Sequence, residues 1–174
     1  MDPVSQAWAD FEHDDYTKAE QGFRRILDLP ELADEDQQQA RYGLGYALTF
    51  SQQYEEARSL FLELQQESAN RHDPGAQHRA LHQVGMVERM AGNWPAAQET
   101  FEKERDLIAL IGNADLAVAV NAYELGLVAL HMGQSDRARA WLDLSLACAE
   151  RTQDLICVGC AHRGLGDWYH TDSD

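Results

Sequence analysis

The 174-residue chain is 44% apolar and 25% charged, the balance of a folded protein rather than a disordered one. Its net charge is −16, and 11 of its 30 acids fall in the first 36 residues against three bases, which excludes nucleic acid and anionic membrane as natural partners. No apolar stretch reaches membrane-spanning length and the acidic, polar opening Met1–Asp10 is unlike a signal peptide, so a cytoplasmic location is expected. With four prolines and almost no β-branched runs, helices are expected near 3–13, 16–29, 34–51, 54–70, 73–91, 94–111, 114–132, 135–151 and 155–170. In chain order, the acidic runs Asp14-Asp15 and Asp34-Glu35-Asp36 suit helix starts. Asp73-Pro74 reads as a cap followed by a first-turn proline. Gly92 and Gly133 supply left-handed turn positions, Asn93 and Ser135 read as N-caps, Asn113 follows Gly112 in the same role, and Asp154 starts the last segment.

The chain repeats itself every 38 to 41 residues. An apolar residue precedes glycine at Leu44-Gly45, Val84-Gly85, Leu125-Gly126 and Leu165-Gly166. Twelve residues past the first three glycines come Ala57, Ala97 and Ala138, and four further on Phe61, Phe101 and Leu142. A copy at the N-terminus has Ala7 in place of glycine and then Ala19 and Phe23. Three residues before each alanine stands Tyr16, Tyr54, Trp94 or Ser135. The constant glycine-to-alanine spacing predicts one turn geometry within every helix pair. The gap from the large residue to the next glycine varies between 22 and 25 residues, so length variation falls between pairs. Small side chains at matched positions let paired helices approach closely, and a single pair cannot bury its apolar face alone, so the pairs must stack.

These residues resemble the tetratricopeptide repeat, which has Leu-Gly in its first helix and Ala-x3-Phe in its second. The period near 40 is similar to that of its long-helix branch. The expected fold is all-α, a right-handed α-solenoid of antiparallel helix hairpins with four full repeats plus a terminal helix. One domain is expected over 1–174, with repeats near 1–33, 34–72, 73–113 and 114–153 and a last helix at 154–170. The resemblance implies that the first helices line a concave groove and that the function is protein or peptide binding by a scaffold or adaptor. A ligand- or signalling-peptide-sensing module and a homo-oligomeric assembly unit are the alternatives.

Positions three before, one after and four after each glycine share a helical stripe. They collect Tyr42, His82, Tyr123 and Arg163, then Tyr46, Met86 and Leu127, then Arg89 and Leu130, with Arg79, Gln83 and His131 beside them. The expected peptide-binding groove is therefore Tyr42, Tyr46, Arg79, His82, Gln83, Met86, Arg89, Tyr123, Leu127, His131 and Arg163. Tyr42, Arg79, Arg89 and Tyr123 are its expected exposed contacts. Aromatic and methionine side chains give adaptable apolar contact, and the arginines and histidines reverse the sign of an acidic chain. The fitting partner is a protein or peptide with acidic and apolar side chains, and a homodimer through the C-terminal helix is a further expectation. Two ligand modes of the family lack their residues here. The carboxylate clamp would need lysines and asparagines where Tyr42, Tyr46, Arg79, Gln83 and Val4 stand. The asparagine ladder would need them at Gly43, Gln83, Glu124 and Gly164, and Asn121 alone does not make one.

No catalytic residue, metal site or cofactor is expected. His78 and His82 lie one helical turn apart, but no acid follows His78 as in a metalloprotease helix. Cys157-x2-Cys160, with Cys148 and His162 nearby, sits in a helical pattern without a second pair, and an odd cysteine count does not make a disulfide framework. Packing of small residues between helices accounts for these cysteines. No phosphate-binding glycine loop or recognisable nucleophile motif is present.

Overall fold

The computed structural model describes residues 2–112 and 114–171, and among them are nine helices and no strand. They are α1 (Pro3–Glu12), α2 (Tyr16–Leu27), α3 (Asp34–Phe50), α4 (Tyr54–Asn70), α5 (Pro74–Met90), α6 (Trp94–Ile111), α7 (Asp115–His131), α8 (Ser135–Thr152) and α9 (Leu155–Thr171). Every expected helix is found; the largest boundary difference is at α2, which ends at Leu27 rather than 29. Contacts divide the chain into two compact units, Met1–Leu64 and Gln65–Asp174, parting inside α4.

The constant spacing has a backbone cause. The residue seven beyond each marker position is left-handed in all four hairpin turns: Asp14 (φ 60°), Gln52 (62°), Gly92 (75°) and Gly133 (69°). The amide of the following residue then donates to the carbonyl five residues back. These bonds are Asp15 to Asp10 (3.0 Å), Gln53 to Leu48 (2.8 Å), Asn93 to Glu88 (2.8 Å) and Gln134 to Ala129 (2.9 Å). This is the glycine-type helix stop, and it satisfies carbonyls that the ending helix leaves orphaned. Only two of the four positions are glycine, so the turn is held by its hydrogen bonds as well as by residue type.

Helix starts follow short-range chemistry. Asp73 accepts from the Ala76 amide at 2.9 Å ahead of Pro74, and Asp154 accepts from the Cys157 amide at 2.8 Å. Two expected caps differ. Asn93 occupies the cap position of α6, but its side-chain amide donates to Glu88 Oε2 at 2.9 Å instead of capping. Ser135 is the first residue of α8, after Gln134, and its hydroxyl and carbonyl both accept from the Trp168 indole, at 2.9 and 3.0 Å. The indole recruits the polar atoms that a cap would have used. Asn113 lies outside the described residues.

The repeated residues form the core. Ala19, Ala57, Ala97 and Ala138 are wholly buried, as are Phe23, Phe61, Phe101 and Leu142. A β-carbon added at Gly45 would lie 2.3 Å from Phe61 Cζ, one at Gly85 2.5 Å from Phe101 Cε1, and one at Gly126 2.7 Å from Leu142 Cγ. In each hairpin the glycine thus receives the large residue sixteen positions later. The first hairpin exchanges the roles: Ala7 faces Gly22, whose added β-carbon would meet the Ala7 β-carbon at 2.9 Å. Gly166 departs from the expected equivalence, with nothing within 4 Å of its position, because no helix packs on that face of α9 among the described residues. A second glycine column joins successive hairpins. Gly43 of α3 abuts the Phe23 ring of α2, and Gly164 of α9 abuts Leu142 of α8.

Candidate functional site

The expected groove residues fall in both units. In Met1–Leu64, Tyr42 and Tyr46 of α3 are half-buried in an aromatic cluster with Trp8 and Phe11 of α1. Tyr46 lies 6.0 Å from Trp8, 6.3 Å from Phe11 and 6.3 Å from Tyr42, and both tyrosines lie 5.9 Å from the buried Phe61 ring. Phe50, exposed at the end of α3, closes the cluster against Phe11 at 5.5 Å. Burial, with Tyr42 beside it, pushes the Tyr46 phenol up to about 12, so it stays protonated and donor-competent at neutral pH.

In Gln65–Asp174 the groove residues His82 and Arg89 meet buried acids. Glu104, on α6 and only 2% exposed, sits between His78 (Nδ1 3.5 Å from Oε1) and His82 (Nδ1 3.1 Å from Oε2). Asn121 of α7 donates to the same Glu104 Oε2 at 2.8 Å and to the Phe101 carbonyl at 2.9 Å. Arg89 Nε lies 2.8 Å from Oε2 of the buried Glu124 on α7. Arg89 was expected as an open contact, and it is instead the counter-ion that lets α7 carry a buried carboxylate. Tyr123, also expected to be exposed, is buried on the Leu142–Leu165 core, with its hydroxyl accepting from Arg163 and the Arg163 guanidinium 5.8 Å from its ring centroid. An aromatic ring flanked by a neighbouring helix and capped by a cation has no free face. His131 is exposed but stacks on Trp94, rings parallel within 5° at 4.0 Å. The equivalent positions of the first two hairpins, Tyr16 and Phe50, also meet, with centroids 5.3 Å apart and rings tilted by 31°.

What stays open on the first helices of this unit is narrower than expected. Met86 and Leu127 are half-buried, their inner sides resting on the Phe101 and Leu142 clusters respectively. Gln83 is half-buried, while Arg79 on α5 and Arg163 on α9 are exposed. Cys148, Cys157 and Cys160 are free thiols packed with small and aliphatic neighbours, as the packing reading has it. Burial, with Asp154 adding to it, pushes the Cys157 thiol up, away from reactive thiolate.

The buried acids titrate with their partners. Burial opposes ionisation of Glu104, but the hydrogen bonds and charge of the two histidines outweigh it and hold its carboxyl below the usual range. Burial alone would lower His82; the bond and charge of Glu104 overcome this and raise it. Glu124 is pushed up by burial, against the pull of Arg89 and His82. A histidine whose folded value is raised contributes stability that is complete below its unfolded value of 6.5 and is lost as pH rises through the folded value. The urea midpoint should therefore fall between pH 6.5 and alkaline pH. His82→Gln, which cannot titrate, should flatten that slope.

Sequence reasoning missed Glu104 because it counted only first-helix stripes. A signal was present on the second helices. The residues three past the large repeat positions are Ile26, Leu64, Glu104 and Ser145, and all four are buried. Two aliphatic residues followed by two polar ones in one buried column mark where the core needs polar partners. Ser145 finds one in the Ala119 carbonyl at 2.7 Å.

Residues 76–151, just under half of the chain, match the family model of the tetratricopeptide repeat. Those residues are similar to the tetratricopeptide repeat. Among solved structures, TPR-like repeats described as nearly identical and as kinesin light chain, from Podosopora anserina, superimpose with a TM-score of 0.73 at 15% identity, covering 98% of this chain and 85% of that one. BtubC (BKLC) from P. vanneervenii superimposes at 0.67 and 16% identity, covering 98% of this chain and 74% of that one. At such identities the likeness is one of fold, an all-α solenoid of helix hairpins. No curated protein matches the sequence. A tetratricopeptide solenoid is a protein-interaction scaffold, typically without catalysis. No helix among the described residues is long and apolar enough to cross a membrane.

Proposed function

We propose that the chain is an adaptor whose first-helix face in Gln65–Asp174 holds a segment of another protein carrying acidic and apolar side chains. The observation that supports this is the contrast between buried and open side chains on one set of helices. Glycine and aromatic positions are consumed by the core, whereas Met86 and Leu127 stay half-open between the exposed guanidiniums of Arg79 and Arg163. Apolar side chains of the partner would rest on Met86 and Leu127, and its acids would meet the two arginines. Half-buried Gln83 and the rim residues His82 and His131 would border the segment. Arg89 and Tyr123 act behind it, holding α5, α7 and α9 in place. In Met1–Leu64 the half-open rings of Tyr42 and Tyr46 are a second proposed contact surface, suited to apolar side chains.

Selection from a displayed peptide library tests the reading. Enriched peptides should combine Asp or Glu with Leu, Phe or Met and should bind more weakly as salt rises. Arg79→Glu with Arg163→Glu should weaken them by about tenfold or more, the scale of losing a charge-assisted contact pair. Enrichment of basic peptides, or affinity unchanged in the double variant, would refute it.

A further inference from the structure

The outer edge of Gln65–Asp174 is unlike the rest of the surface. Leu155 and Ile156 stand 84% and 79% exposed on the first turn of α9, and Leu110 stands 73% exposed on the last turn of α6. Leu116, on the first turn of α7, is exposed as well. These turns share one end of the unit. Val118 of α7 and Cys157 and Val158 of α9 pack on the same buried cluster, Ala119, Cys148 and Ala149, which sets the starts of α7 and α9 side by side. Arg151, near the end of α8, donates to Asp115 at the start of α7 from Nε (2.9 Å) and Nη2 (2.7 Å). Isolated exposed leucines are ordinary, but several gathered on one edge mark an interaction surface.

Beside these side chains lies a cavity of about 390 Å³, walled by Ile108, Val118, Ala122, Trp141 and Leu144, with Arg105 at its rim. It is large enough for two aliphatic side chains, and its apolar wall is interrupted by Asp115 and Asn121. Projecting residues and a receiving cavity thus occur on the same edge of the same chain. That combination is self-complementary: under a two-fold axis, each copy's projection faces the other copy's cavity. The local charge does not oppose a second copy. In a chain of net charge −16, like charge ordinarily opposes self-association. At this edge Arg105 is bonded to Asp106 at 3.0 Å, Arg151 to Asp115, and Asp154 to the backbone of α9, so each of these acids is already compensated.

We propose that this edge binds a second copy of the chain about a two-fold axis, with Leu155 and Ile156 of each copy seated in the α6–α8 cavity of the other. The contact uses the opening turn of α9, whereas Arg79 stands on α5 and Arg163 about two turns further along α9. Sedimentation of the full chain between about 1 and about 300 µM tests it, since mass action makes a dimer concentration-dependent. The wild type should move from one chain mass toward two. L155D/I156D should stay at one chain mass with unchanged helical signal, because both side chains are exposed and an acid in the first turn suits a helix N-terminus. Leu144→Arg, which closes the cavity, should also abolish the dimer, whereas L155M/I156M should keep it. R79E, on α5, should dimerise as the wild type does, which separates this contact from peptide binding. A wild type that stays at one chain mass throughout, or a dimer that survives L155D/I156D or Leu144→Arg, overturns the proposal.

Discussion

Glu104→Ala should cost about 3–5 kcal/mol of stability, the scale of removing one member of a buried charged network. The carboxylate accepts from Asn121 and faces His78 and His82, so its loss leaves three polar side chains of α5 and α7 without their shared acceptor. Each orphaned group would keep its desolvation cost, and the protonated form of His82 would lose its support. Glu104→Gln, which retains shape and one acceptor oxygen, should cost clearly less. It should also remove the part of the pH dependence that His82 owes to the carboxylate. Urea unfolding at pH 6 and pH 8 reads both effects. A loss below about 1 kcal/mol for the alanine variant would mean that the network is solvated rather than buried.

Gly85→Ala should lose about 1–3 kcal/mol, even though alanine is by about 1 kcal/mol the better helix former. The new β-carbon would lie 2.5 Å from Phe101 Cε1 and 2.7 Å from its Cζ, inside a wholly buried ring. Either the ring leaves its rotamer or α5 and α6 separate, and both disturb the close packing of the hairpin. Phe101→Leu should recover part of the loss in the Gly85→Ala background, because Leu142 shows that this position accepts leucine against a glycine. Thermal melts of the two single variants and the double variant measure the coupling.

The fold was legible in the sequence because its information is local and repeated. Fixed glycine-to-alanine spacing became four equivalent left-handed turns, and each alanine and large apolar marker became a buried contact. The candidate site was legible only in outline. Stripe counting placed Arg79, Met86, Leu127 and Arg163 on the first helices, but it could not see which charges the second helices answer. Arg89 and His82 looked like free cations because their partners, Glu124 and Glu104, are distant in sequence or sit on another helix. Tyr123 looked open because the covering groups, Leu142 and Arg163, come from two later helices. Periodicity reports the face of a helix, whereas burial depends on what the neighbouring hairpin brings to that face.

The most direct test of hairpin construction compares one substitution at two copies of the same repeat position. Gly126 receives Leu142, with Cγ 2.7 Å from an added β-carbon, while Gly166 has nothing within 4 Å. By urea unfolding, Gly126→Ala should lower stability and Gly166→Ala should raise it by about 0.5–1 kcal/mol, the helix preference of alanine over glycine. Equal effects at the two sites, in either direction, would contradict the assignment of these glycines to close helix pairing.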